Sequence, residues 1–121
     1  MGSGPESLEN KLAELKRAYL AALPSRIEEM VQVAASIEAS LSSPGCLADL
    51  KTLEHLAHKF AGSGGSFGFP DISETAEVVE TAAKAMVESG TPPSPDQWQT
   101  VKDKLDSLRS AIDDAVSLKK T

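Results

Sequence analysis

His58 is followed by an unusual density of small residues: His58-Lys59-Phe60-Ala61-Gly62-Ser63-Gly64-Gly65-Ser66-Phe67-Gly68-Phe69. Imidazole is the side chain that is partly neutral, and therefore nucleophilic, near neutral pH. Its reference pKa of about 6.5 leaves much of an exposed imidazole in that form. Gly62 comes one helical turn later, so no side chain stands beside the ring on that side. Gly64, Gly65 and Gly68 follow, although each helical glycine costs about 1 kcal/mol relative to alanine. Close approach by another macromolecule is the simplest use for such a surface.

Several chemistries can be weighed against this pattern. His55 and His58 share a helix face with Glu54 nearby, yet no third metal ligand follows at suitable spacing, and neither HExxH nor its inverse is present. The glycine run lacks the Gly-Lys-Ser/Thr ending of a nucleotide loop and follows a helix rather than a strand. Ser63 and Ser66 have no acidic third partner that would make a hydrolase. Phosphoryl transfer is a chemically reasonable use of such a residue. A neutral imidazole attacks without a separate strong base, and the protein supplies positioning and charge compensation for the equatorial oxygens. Lys51 and Lys59 are placed to provide that charge, each pairing being worth below about 1 kcal/mol at a surface.

The elements that must position these residues are helices. The chain has 121 residues, 40% of them hydrophobic and only 4% aromatic, and alanine and leucine dominate. That balance suits helix-on-helix packing in one domain, long enough to bury a core without metals or disulfides. The lone Cys46 fits a reducing compartment. A net charge of −6 argues against nonspecific binding to nucleic acid or an anionic membrane. There is no apolar run of spanning length and no signal peptide, so the expected location is cytoplasmic. Residues 1–5 read as a disordered, cloning-derived tail, and residues 6–121 as the domain.

Apolar residues recur at helical spacing from Leu8 through Leu12, Leu15, Tyr19, Leu23, Ile27, Met30, Ala34 and Ile37 to Leu41. The phase survives Pro24, which predicts either one long kinked helix or two consecutive ones. Ser42-Ser43-Pro44-Gly45 is a stop. A second helix carries Leu47, Leu50, Leu53, Ala57, Phe60 and Gly64 and ends near Gly65 to Gly68. A third opens at Asp71-Ile72-Ser73-Glu74, with Asp71 as the expected cap, and closes at Gly90. The last opens at Ser94-Pro95-Asp96-Gln97, a capping box with proline at its first position. Short connections favour antiparallel neighbours, so the expected fold is all-α, an up-down-up-down four-helix bundle, with a short or kinked extra N-terminal helix as the variant.

At about 100° per residue, Leu50, Leu53, Ala57, Phe60 and Gly64 share the buried face of the second helix. His58 falls about a quarter-turn away, at the border of core and solvent, with Gly62, Lys51, His55 and Gly65 on its side. A histidine on a helix flank is, taken alone, most often a solvated polar residue. Here it coincides with glycine at +4, small residues at +5 to +8 and glycine at +10, inside a helical bundle.

This stretch resembles the signature of histidine phosphotransfer (HPt) domains, which runs His-x-hydrophobic-Lys-Gly-small-small-x-x-x-Gly. The resemblance extends upstream to Tyr19–Ile27 and downstream to Ile72–Ala85, covering most of residues 8 to 116. It implies a phosphorelay intermediate in which His58 exchanges a phosphoryl group with a receiver-domain aspartate or a kinase. It further implies that Gly62 gives the incoming aspartate room, and that His55, Ser63, Gly65 and Ser66 belong to the docking surface. The family often has lysine or arginine at +3, where this chain has Ala61, so Lys59 and Lys51 are left to compensate charge. Such a chain is a monomeric phosphocarrier rather than an enzyme with turnover of its own. It needs no cofactor, any Mg²⁺ being expected on the receiver. The alternative is an adaptor that is never phosphorylated and docks a signalling partner through its glycine-lined face. Loss of His58 separates the two: an adaptor tolerates it and a phosphocarrier does not.

Overall fold

The computed structural model describes residues 5–120, with side chains described for 7–117. These residues form four helices: α1 (Pro5–Ala39), α2 (Cys46–Ser66), α3 (Pro70–Ser89) and α4 (Pro95–Lys120). Among the described residues there is no strand. The tail expected at residues 1–5 falls outside the described residues except for Pro5, which already opens α1.

Of the alternatives left open at Pro24, one continuous helix is what forms, with the proline inside it. Proline removes a single backbone donor there, and the apolar stripe is uninterrupted: Tyr19, Leu20, Leu23, Ile27, Met30, Ala34 and Ile37 are all buried. The stripe does not begin where the pattern does. Leu8, Leu12 and Leu15 carry the same phase but are exposed.

The chain ends of the helices are set by identifiable chemistry. At the close of α2, Gly68 has φ +81°. The Phe69 amide bonds to the Gly64 carbonyl at 2.7 Å and the Gly68 amide to the Gly65 carbonyl at 3.3 Å. That is the paired bonding of a Schellman stop, for which glycine supplies the left-handed backbone. Gly90 closes α3 in the same conformation. At the start of α4 the expected capping box is formed: the Gln97 amide bonds to Ser94 Oγ at 3.2 Å, and the Ser94 amide bonds to Gln97 Oε1 at 2.8 Å.

The start of α3 differs from expectation. Phe69 occupies the cap position without a side-chain bond, and Pro70 is the first helical residue. Asp71 therefore lies inside the first turn, where its charge still opposes the helix dipole. Proline's fixed φ, suited to a first helical position, displaces the acidic cap.

Each helix packs on two neighbours, α1 on α2 and α4, and α3 on α2 and α4. The core they enclose is aliphatic, with Leu23, Met30, Ile37, Leu50, Leu53, Ile72 and Leu108 wholly buried and Trp98 nearly so. On the outside, Lys102 Nζ meets Glu38 Oε1 at 2.6 Å and ties α4 to α1. That hydrogen bond holds the Glu38 carboxyl below its usual range and the Lys102 ammonium above its own.

The α2–α3 contact is the closest. A Cβ placed on Gly64 would lie 2.8 Å from the Ser73 backbone nitrogen and 3.1 Å from Ile72 Cγ2. Ser73 Oγ donates to the Ala61 carbonyl at 2.7 Å across the same contact. Gly64 is thus required by the fold itself, whereas a Cβ on Gly62 would meet nothing within 4 Å. The two glycines should respond oppositely to alanine. Gly62→Ala gains helix propensity and should stabilise by up to about 1 kcal/mol. Gly64→Ala must force the helices apart, with a net loss of about 1–2 kcal/mol. Urea unfolding midpoints of the two variants check this directly.

Candidate functional site

His58 projects from the middle of α2 with its side chain 76% exposed, as its position on the helical wheel predicts. The ring is nevertheless held. Its Nδ1 lies 2.8 Å from Oε2 of Glu80 on α3, a carboxylate that is itself only 23% exposed. A carboxylate only accepts hydrogen bonds, so the neutral ring donates Nδ1–H to it. In the neutral ring this contact favours the tautomer with its proton on Nδ1 and its lone pair on Nε2. The structure thus supplies an oriented nucleophilic nitrogen on an open surface. Glu80 was not among the residues the sequence singled out.

His58 lies in a shallow cleft with Glu54, His55, Lys59 and Glu80. His55 is exposed one turn earlier on the same helix. On the other side of Lys59 a second cleft runs between α1 and α2, lined by Arg26, Glu29, Leu56, Lys59, Phe60 and Ser63. Lys59 borders both clefts, and among the described residues its ammonium has no carboxylate partner. Lys51 is exposed seven residues before His58, about 10 Å away along the helix axis. It stands outside the five-residue cleft, so Lys59 is the nearer cation.

Gly62 is open, with space where a side chain would stand one turn beyond His58. Gly65 and Ser66 are exposed further along α2. Ser63, expected on the docking rim, has its hydroxyl turned toward α1. It is half-buried, and its Oγ lies 3.1 Å from the Tyr19 hydroxyl on α1, to which it donates, and 3.4 Å from the Phe60 carbonyl. Burial raises the Tyr19 pKa, and the bond from Ser63 and the charge of Arg26 offset part of that rise. The Tyr19 ring stacks on Phe67 at 4.5 Å and on Phe69 at 5.9 Å. Ser63 thus fastens α2 to α1 beneath the site, a role set by its polar contact with a helix 44 residues away in the chain.

Ala61, at the position where a cation was expected to be missed, is half-buried against the core, and its carbonyl receives the Ser73 hydroxyl. Among the described residues no three histidine, cysteine or acidic side chains come close enough to hold a metal ion. No helix is long and apolar enough to cross a membrane among the described residues.

A protein-family model described as Hpt domain matches residues 14–111, most of the chain and somewhat less than the resemblance read from sequence. No curated protein and no solved structure gives a significant match.

If Glu80 sets the proton on Nδ1, its removal should release the ring to exchange tautomers. In Glu80→Ala, long-range ¹H–¹⁵N correlation spectra should show the Nε2–H form of His58 rising at the expense of the Nδ1–H form that dominates in the unsubstituted protein. His55, without that partner, should show the same tautomer mixture in both.

Proposed function

The chain belongs to the Hpt domain family, and we propose that His58 is its phosphoacceptor, exchanging a phosphoryl group with a receiver-domain aspartate. Hpt domains serve histidine phosphotransfer in two-component phosphorelays, with receiver domains and kinases as their partners. The observation that carries the assignment is the contact of His58 Nδ1 with Glu80 at 2.8 Å in a ring whose side chain is 76% exposed.

In this reading the helices run antiparallel, up-down-up-down. Support comes from α1 and α2, where Tyr19 meets Ser63 while Ser36 meets Asp49. Transfer proceeds by attack of the Nε2 lone pair on the phosphorus of an aspartyl phosphate. The N–P bond forms as the acyl O–P bond breaks, and the aspartate leaves as carboxylate. The ring gains positive charge in the process while keeping its proton on Nδ1. Glu80 meets that charge through a hydrogen bond that strengthens as the ring becomes cationic. Lys59 faces the phosphoryl oxygens from one side and Gly62 leaves room for the aspartate on the other. Lys51 adds a longer-range positive field. His55, Gly65 and Ser66 form the surrounding docking surface, and the cleft between α1 and α2, with Ser63 in its lining, extends it past Lys59. Mg²⁺ belongs to the receiver's acidic pocket. The chain acts as a carrier rather than an enzyme with independent turnover, and its expected setting is the cytoplasm.

The test is phosphoryl transfer from a panel of phosphorylated receivers, read by intact mass. The unsubstituted protein and His55→Ala should both gain an acid-labile phosphate adduct, at rates within about twofold of each other. His58→Ala should gain none. Glu80→Ala should keep the adduct and form it about tenfold more slowly. Receiver binding with no adduct from any donor, unaffected by His58→Ala, would establish the adaptor instead.

A further inference from the structure

We propose that the N-terminal third of α1 is a self-association surface on which a second copy of this chain packs antiparallel. Every residue from Leu8 to Ala18 is exposed, and the first buried residue of α1 is Tyr19. Within this stretch Leu8, Leu12 and Leu15 are 59, 55 and 55% exposed. Their spacing of four and three residues continues by four to Tyr19, so the stripe that forms the core lower down α1 runs on uncovered for about 16 Å. Soluble chains rarely leave contiguous leucines open without a use. The match to the Hpt domain begins at residue 14, so Leu8 and Leu12 precede the matched stretch.

The spacing is that of a coiled-coil seam, with Leu8 and Leu15 at d positions and Leu12 and Tyr19 at a positions. The flanking e positions are Glu9 and Lys16, and the g positions are Lys11 and Ala18. A parallel pair would set Lys11 of each copy against Lys16 of the other, two like-charge contacts. An antiparallel pair joins e to e and g to g, which sets Glu9 of each copy against Lys16 of the other and Lys11 against Ala18. The charge pattern therefore selects the antiparallel two-fold arrangement. In that register Leu12 meets Leu15 of the second copy, and the tip residue Leu8 arrives at the level of its buried Tyr19. There the half-buried Phe67 and Phe69, stacked on Tyr19, extend the apolar surface. Lys16 Nζ already sits 4.9 Å from the Phe69 ring centroid, at the flank where Glu9 of the other copy arrives.

Two short heptads a side give an interface smaller than the roughly 800 Å² per partner of a standard complex, so the dimer is weak and reversible. The expected monomer is then the dilute form. His58 lies about 12 Å back along α2 from its C-terminal end and stays open in both states.

Sedimentation equilibrium of the full chain, from micromolar to millimolar concentration, tests the proposal. The unsubstituted protein should show a reversible monomer–dimer equilibrium. Leu12→Gln should weaken it about tenfold or more, with an unchanged helical circular dichroism spectrum because Leu12 lies outside the core. Lys16→Glu should weaken it roughly two- to threefold, and Glu9→Lys with Lys16→Glu should restore it. A chain monomeric at millimolar concentration, or a dimer indifferent to Leu12→Gln, would overturn the proposal and assign the leucines to a different partner. A dimer strengthened by Lys16→Glu would overturn the antiparallel arrangement, because that change turns the parallel Lys11 contacts attractive.

Discussion

The close approach of α2 and α3 at Gly64 is the constraint on which the site depends. The Ser73 amide and the Ile72 side chain occupy the space that any Cβ on residue 64 would need. Ser73 then locks the two helices in register by donating to the Ala61 carbonyl. Glu80 follows Ser73 by seven residues on α3, and His58 precedes Gly65 by seven on α2. Two turns away from the contact, this register puts a carboxylate against Nδ1 of an otherwise solvated imidazole. A helix pair held further apart, or slipped by one turn, would leave the same histidine free to rotate and to carry its proton on either nitrogen.

Glycines that look alike in sequence thus divide into separate tasks. Gly64 admits α3, Gly68 ends α2 in a left-handed turn, and Gly62 leaves open space beside the imidazole. Of these three, Gly62 alone is free of any demand from the fold, and a helix interior loses stability by keeping it. On the proposed function, that loss is offset by the clearance it leaves beside His58 for a docking partner. The site is correspondingly economical. It asks little of the chain beyond one oriented ring, one nearby cation and clearance, because the chemistry of phosphoryl transfer needs position and charge more than covalent assistance.

Much of this was legible in the sequence wherever the signal is local. The buried face of α2, the Ser94–Gln97 capping box and the Gly90 stop depend on spacing within a few residues, and they stand as read. The position of His58 at the edge of the core is of the same kind. The misreadings share a different origin. Glu80 is 22 residues from His58, and nothing in either helix alone announces which carboxylate the fold will bring to the ring. The bond between Ser63 and Tyr19 was unforeseen for the same reason, since the two lie on different helices. Leu8, Leu12 and Leu15 have the periodicity of a core, but periodicity does not say whether a neighbouring helix is long enough to cover them. The start of α3 was missed for a local reason, since Pro70 marks a first helical position better than Asp71 marks a cap.

On the proposed function, Glu80 presets which nitrogen of His58 reacts. The most direct measurement is the ¹⁵N and ³¹P spectrum of the phosphorylated protein, in which one-bond phosphorus coupling identifies the nitrogen that carries the phosphoryl group. The account predicts coupling to Nε2 of His58, with Nδ1 still protonated. Coupling to Nδ1, or a phosphoryl group on His55, would contradict it.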